Sequence, residues 1–228
     1  MSPNLFNSYR YASGGEWSWE DDFTSDLGWA RVRTDVTYDF TTNNRANYAF
    51  QRDGYCDNGT FDVQQSTALN GSNMSDTAWV FRWDHEQTSQ NVSGGMHSFW
   101  GCINTTDCSI MGSTGNYAIG IFQALGVNSQ MCNANNQGLE SNLQAAGGDW
   151  GATWHWYLQY IRTSATGCSL ERYSDAAYSS LNDSFTNTQS SSIVDLRYLS
   201  WQKAGYPSDS ATVNGQWTNI YFADDVTT

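Results

Sequence analysis

The sequence predicts an all-β chain folded as a two-sheet antiparallel β-sandwich, and three observations carry that expectation. First, Ser, Thr and Asn make up 68 of the 228 residues while Lys occurs once. Ser, Thr and Asn hydrogen-bond to nearby backbone in turns and extended chain, and strong helix formers are scarce. Second, aromatic residues reach 15% and in places alternate with polar ones at period two, the signature of a strand with one buried face. Third, about ten strand-sized segments follow one another with no three-turn helical pattern between them, more than one twisted sheet usually carries before it splits into two packed layers. A jelly roll is the expected arrangement.

Taken in order, residues 1–15, with Phe6, Tyr9 and Tyr11 in a polar setting, read as an N-terminal arm ahead of one sandwich domain over 16–228. Strands are expected near 29–40, 45–52 and 60–65. The clearest is Thr77–His85, where Trp79, Phe81 and Trp83 alternate with Val80, Arg82 and Asp84. Others follow near 96–103 and 117–125. Residues 126–151, crowded with Asn, Gln and Gly, read as one long irregular loop insertion, a length that in compact domains usually signals function or disorder. Trp154–Arg162 then places Trp154, Trp156, Leu158 and Tyr160 on one face, and further strands are expected near 168–173, 193–202 and 216–222.

Charge narrows the partners. Ten Lys plus Arg against 23 Asp plus Glu leave a net charge of -13, a field that repels polyanions, so nucleic acid is excluded as a partner. No run approaches the roughly 20 apolar residues of a membrane-spanning helix, and the first residues form neither a basic n-region nor an apolar h-region. A chain without membrane insertion and without a visible export signal is expected. Six Asn-x-Ser/Thr sequons, at Asn58, Asn70, Asn73, Asn91, Asn104 and Asn182, carry little weight in so Asn-, Ser- and Thr-rich a chain.

The five cysteines, Cys56, Cys102, Cys108, Cys132 and Cys168, have neither CxxC nor zinc-ligand spacing. Cys102 and Cys108 bracket a short polar loop that brings them within disulfide range if its flanks are antiparallel; the alternative is that all five are small core hydrophobes. Acidic doublets stand at both ends, Asp21 with Asp22 and Asp224 with Asp225. In a jelly roll the first and last strands often pair, and two like-charged clusters brought together call for a cation, here a structural Ca²⁺ held by oxygen ligands. The alternative places them at solvated strand ends.

Ser75-Asp76-Thr77-Ala78-Trp79-Val80, Tyr160-Ile161-Arg162-Thr163-Ser164-Ala165-Thr166-Gly167, Tyr173-Ser174-Asp175-Ala176-Ala177-Tyr178-Ser179 and Gly215-Gln216-Trp217-Thr218-Asn219-Ile220-Tyr221-Phe222-Ala223-Asp224-Asp225-Val226 run in this order along the chain. Together with Asp21-Asp22-Phe23 and Gly28-Trp29 they resemble the concanavalin A-like, laminin-G-like jelly-roll modules, most closely versions recurring in marine archaeal and environmental viral proteins, phage included. The similarity spans roughly residues 16 to 226 and leaves out the segment 126–151. It implies a two-sheet sandwich, glycan binding at the concave face or loop rim and often a structural Ca²⁺, without fixing a ligand.

Some enzymes on this sandwich present carboxylates at alternating strand positions. Asp84 and Glu86 fall on one strand face, but Gln87, Thr88 and Ser89 follow where a third carboxylate is needed, so a glycoside hydrolase is the least favoured reading and the chain is expected not to be an enzyme. His85, His97 and His155 lack metal-ligand spacing, and no phosphate, dinucleotide or nucleophile-elbow motif occurs. Eleven Trp and 13 Tyr exceed what one core needs. Sugar rings stack on such aromatics while their hydroxyls seek amides and carboxylates. The expected ligand-binding residues are Trp100, Tyr117 and Trp150, with Asn133, Asn135, Asn136 and Asp149 as polar partners; Trp201 and Tyr206 are further aromatic candidates. The expected function is a non-enzymatic, lectin-like surface protein that binds glycans. The alternative is a decoration or fibre protein of a virion or cell-surface assembly, contacting neighbouring copies as a homo-oligomer or in a capsid.

Overall fold

The structure is a computed structural model. It describes residues 17, 19–33, 35–51, 57–66, 69, 71–91, 98–106, 115–124, 128–137, 143–149, 151–203 and 212–224. The expected arm over 1–15 lies outside these, as do His97, Trp150 and Tyr206.

Fifteen strands are described: β1 (Trp19–Asp21), β2 (Ala30–Val32), β3 (Val36–Asp39), β4 (Arg45–Gln51), β5 (Asp57–Asp62), β6 (Trp79–Asn91), β7 (Ser98–Ile103), β8 (Asn116–Ala124), β9 (Asn128–Gln137), β10 (Leu143–Asp149), β11 (Trp154–Ser164), β12 (Gly167–Tyr173), β13 (Leu181–Thr188), β14 (Tyr198–Lys203) and β15 (Thr212–Asp224). All pair antiparallel, in two sheets. The first runs β13-β12-β11-β6-β15-β4-β3 with β1 also on β15; the second runs β10-β9-β8-β7-β14-β5-β2. This is the concanavalin A-like sandwich the sequence predicts, and the first and last strands do pair, Trp19 opposite Phe222.

The long strand β6 shows why the layers form. Trp79, Phe81, Trp83, His85 and Gln87 point into the space between the sheets and are all wholly buried. Opposite them on β11 lie Arg162, Tyr160, Leu158, Trp156 and Trp154. Trp201 of the second sheet stacks on Trp217 of the first, centroids 4.2 Å apart and planes 3° from parallel. Such contacts remove large apolar area from water at roughly 25 cal/mol per Å². At Gly215 a β-bulge lets β15 approach so closely that a Cβ would meet the Glu86 carbonyl oxygen at 2.3 Å, which only glycine tolerates.

Three expectations change. The segment expected to be an irregular loop forms the hairpin β9–β10, carried on β8 with Asn133 opposite Ile119 and Asn135 opposite Tyr117. Asn and Gly have low strand propensity, but pairing along β8 satisfies their backbone groups, and tertiary context outweighs propensity. Cys102 is a free, buried thiol, so the expected Cys102–Cys108 bridge is not made; Cys108 lies outside the described residues. The Cys102 side chain joins the core cluster beside Ile119 and Leu199, the small-hydrophobe alternative. Strand β13 has no counterpart in the sequence expectations, because its edge position leaves most of it exposed and without apolar alternation. Among the described residues no helix is long and apolar enough to cross a membrane.

Candidate functional site

The outer face of the first sheet gathers the side chains with the most chemistry. Because residues directly opposite in antiparallel strands share a face, the register assembles this surface row by row. Tyr157 of β11 and Thr218 of β15 flank Asp84 of β6, while Gln159 and Tyr221 flank Arg82. Glu20 of β1 lies beyond Tyr221, and Glu171 and Tyr173 of β12 lie beyond Gln159 and Tyr157. The turn after β12 then folds over the sheet. It is tied down by Asp175, whose carboxylate accepts from the Ala177, Ser179 and Ser180 amides at 3.0, 3.3 and 2.6 Å. Burial opposes ionisation of that carboxyl, yet these bonds with Ser179 and Ser180 hold it below the usual range.

Two adjoining pockets result. The smaller, about 130 Å³, is lined by Asp84, Tyr157, Ala176, Tyr178, Asn219 and Tyr221. The larger, about 230 Å³, is lined by Trp17, Glu20, Arg82, Ala176, Tyr178 and Tyr221. They share one wall, Ala176, Tyr178 and Tyr221, and so form one groove. Asn219 reaches it because β15 carries one extra residue between Thr218 and Tyr221, a bulge of the kind that re-aims side chains beside functional sites.

The groove's polar groups are held in place. Asp84, pushed to a higher pKa first by burial and further by Glu86, is bonded at 2.5 Å to Nε2 of His155, which favours its ionised form. Glu86 accepts from the Gln216 amide at 2.5 Å. Arg82 is buried, with its guanidinium carbon 4.3 Å from the Tyr178 ring centroid and 5.1 Å from that of Trp17. Its Nε donates to Gln159, whose amide donates to Glu171 at 2.6 Å, and Tyr173 donates to the same carboxylate oxygen. Arg82 therefore stiffens the wall.

The sequence-expected ligand residues lie elsewhere. Trp100 is a correction: it is wholly buried on β7 opposite Trp201, also wholly buried, so neither offers a ring face to a ligand. Tyr117 is half-buried against the core, and the register brings it to Asn135 on the second sheet. Asn133 is two positions further along β9, exposed Asn136 follows with φ of 51°, and Asp149 stands at the far end of the hairpin opposite Asn128. The hairpin thus spreads Asn135 and Asp149 roughly 23 Å apart along seven strand positions.

The expected calcium ligands do not converge. Asp21 is buried and accepts from the Phe23 amide and the Trp29 indole, both at 2.6 Å; burial pushes its carboxyl to a higher pKa. Asp22 is exposed and accepts from Thr24. Asp21 stands opposite Ile220, four positions or about 13 Å along β15 from Asp224, and Asp224 accepts from the Ser75 amide at 2.9 Å. Asp225 lies outside the described residues. Among the described residues no group of three or more His, Cys, Asp and Glu could hold a metal. The three that are described, Asp21, Asp22 and Asp224, do not come together as a calcium site.

Tyr157, Tyr178, Asn219, Tyr221 and Trp17 are the site residues that sequence reasoning missed. One signal was present: the outward positions of β11 are His155, Tyr157 and Gln159, a polar set on a strand whose other face is apolar.

No protein-family model and no curated protein matches this sequence. Solved structures do match the fold. The CBM2 module of the evolved Dit of Lactobacillus casei BL23 phage J-1 aligns at TM-score 0.54 and 14% identity, covering 93% of this chain and 97% of that one. The exoplasmic/lumenal domain of VIP36, in its Ca²⁺/Man3GlcNAc-bound form, aligns at 0.52 and 9%, covering 88% and 85%. Bacillus licheniformis β-glucanase aligns at 0.53 and 10%, covering 90% and 97%. At such identities the likeness is one of fold, and the fold includes carbohydrate-binding and phage domains.

Proposed function

We propose that this chain is a non-enzymatic, lectin-like surface protein that binds carbohydrate in the groove over Asp84 and Arg82. The observation that carries the reading is that groove, where the half-buried rings of Tyr157, Tyr221 and Trp17 stand beside a carboxylate and an amide, Asp84 and Asn219, against a wall built on buried Tyr178. C–H faces of sugars stack on such rings and their hydroxyls bond such groups. The fold likeness to a carbohydrate-binding phage module and to a lumenal domain bound to Man3GlcNAc supports it, as does the resemblance to viral jelly-roll modules, which also motivates a virion or cell-surface location. Binding without hydrolysis is favoured because Asp84 and Glu86 are each engaged, by His155 and Gln216, and no third carboxylate follows them on β6. Calcium has no part in the reading, since Asp21 is already engaged by two donors and lies far from Asp224.

A second reading, a structural component of a virion, is favoured by one observation, the similarity over nearly the full length of both chains to a module of a phage Dit protein. Under it the groove would hold side chains of a neighbouring copy.

A glycan array read with the parent chain, Tyr178→Ala and Tyr117→Ala, with and without chelator and with the oligomeric mass recorded, separates these readings. Chelator-insensitive binding lost in Tyr178→Ala and kept in Tyr117→Ala is the expected result. Loss in Tyr117→Ala alone would move the site to the second sheet. No binding by any sample, together with a defined oligomer, would favour the structural reading.

A further inference from the structure

Neither pocket alone has the volume of a complete ligand site. Sites for whole small molecules run to roughly 300–1,000 Å³, whereas these measure about 130 and 230 Å³. Joined across Ala176, Tyr178 and Tyr221 they reach the lower end of that range. Their floors, Asp84 and Arg82, are two positions apart on β6, about 6.6 Å, the scale of one pyranose unit with its linkage. Each pocket has its own aromatic, Tyr157 in one and Trp17 in the other, and they share Tyr178 and Tyr221.

The charges select what can enter. Arg82 is covered by two rings and its Nε is committed to Gln159, which leads on to buried Glu171. Arg82 lines the large pocket from beneath those rings, so the groove carries two carboxylates, Asp84 and Glu20, against one guanidinium. The small pocket offers Asp84 and Asn219, and the large one offers Glu20. A sugar carboxylate, sulfate or phosphate would meet two carboxylates on a chain of net charge -13, while neutral hydroxyls donate to those carboxylates. Tyr178, in the wall of the small pocket, adopts a left-handed φ of 52°, a conformation costly for a bulky side chain.

From this we infer that the groove takes an uncharged oligosaccharide of at least two rings, the first over Asp84 beside Tyr157 and Tyr221, the second against Trp17, and that it rejects acidic glycans. This rests on the carbohydrate reading above.

The test is titration of the folded chain with neutral mono-, di- and trisaccharides bearing terminal hexoses and with the same sugars carrying sialic acid or glucuronate, followed by repetition with Trp17→Ala, Trp17→Phe and Tyr178→Ala. Near-UV circular dichroism confirms folding of each variant. The expected result is a neutral disaccharide bound at least tenfold tighter than its monosaccharide, acidic counterparts bound at least tenfold more weakly, and that disaccharide gain lost in Trp17→Ala, largely kept in Trp17→Phe, with all binding lost in Tyr178→Ala. Acidic sugars bound as tightly as neutral ones, or a monosaccharide bound as tightly as the disaccharide, would overturn the inference and leave the carbohydrate reading standing. Absence of binding to every sugar by folded parent chain would overturn both.

Discussion

Asp84 and His155 meet across the β6–β11 pair at 2.5 Å, with the Asp84 side chain 14% and the His155 side chain 45% exposed. The bond fixes the carboxylate at the floor of the small pocket and holds its pKa down against burial, which pushes it up and wins. Sugar hydroxyls donate to the ionised form. The proposed carbohydrate binding should therefore be full at neutral pH and fall as acid protonates Asp84, at a pH above the ordinary 3.8 of an aspartate. His155→Gln removes a group that favours ionisation, so the fall moves to higher pH; Asp84→Asn binds more weakly and loses this acid limb. Affinity measured from pH 4 to 8 for the three proteins checks the order of their midpoints.

His85, one position along β6, behaves in the opposite way. It is wholly buried; Nδ1 accepts from the Trp83 indole at 3.2 Å, and Nε2 lies 2.9 Å from the Tyr48 hydroxyl oxygen. Since the indole can only donate, Nε2 carries the proton and donates to Tyr48. Burial lowers the pKa of this ring from 6.5 to about 3. The unfolded chain takes up a proton below pH 6.5 and the folded chain does not, so stability is full above 6.5 and drains away down to about 3, by a few kcal/mol. His85→Gln costs about 1–3 kcal/mol at pH 7 by disturbing two buried partners. Urea midpoints at pH 7 and pH 4 should show the gap between parent and variant narrowing in acid.

The tryptophan alternation on β6 and β11 was legible because its period of two is local and repeated, and it alone implies two layers. The groove was not, since it depends on which strands become neighbours: Asp84 meets His155 across 71 positions, and Tyr221 meets Arg82 only after a bulge that no motif announces. Trp100 misled for a related reason. A lone tryptophan beside glycine and cysteine reads as exposed until the first sheet is laid over β7, where His85 and Tyr48 meet the Trp100 ring at 5.2 and 6.2 Å.

Cys102 supplies a check on the packing between the sheets. Its thiol is buried, and burial pushes its pKa well above the usual thiol range, which makes it inert. A thiol reagent should leave Cys102 unmodified in the native chain and label it in urea, with peptide mapping assigning the site. Cys102→Ser should cost about 1–3 kcal/mol by placing a hydroxyl among apolar neighbours, and Cys102→Ala less. Recovery of a Cys102–Cys108 disulfide peptide from the unreduced native chain would refute this placement.

Lys203 is the sole lysine of the sequence and is wholly buried, its ammonium 3.0 Å from a carboxylate oxygen of Asp35. An ammonium in that position is tolerated because a carboxylate faces it, and removing that carboxylate breaks the ion pair in a region of low dielectric. Asp35→Ala should therefore cost about 3 kcal/mol, while Lys203→Met combined with Asp35→Ala should recover much of the loss, because a buried ion pair often contributes little over an apolar replacement. Denaturant melts of the two single variants and the double variant give the coupling directly. The same burial makes a chemical prediction: an amine-reactive ester should leave Lys203 unlabelled in the folded parent and label it in Asp35→Ala to the extent that the end of β14 opens, so labelling and stability should change together across the series.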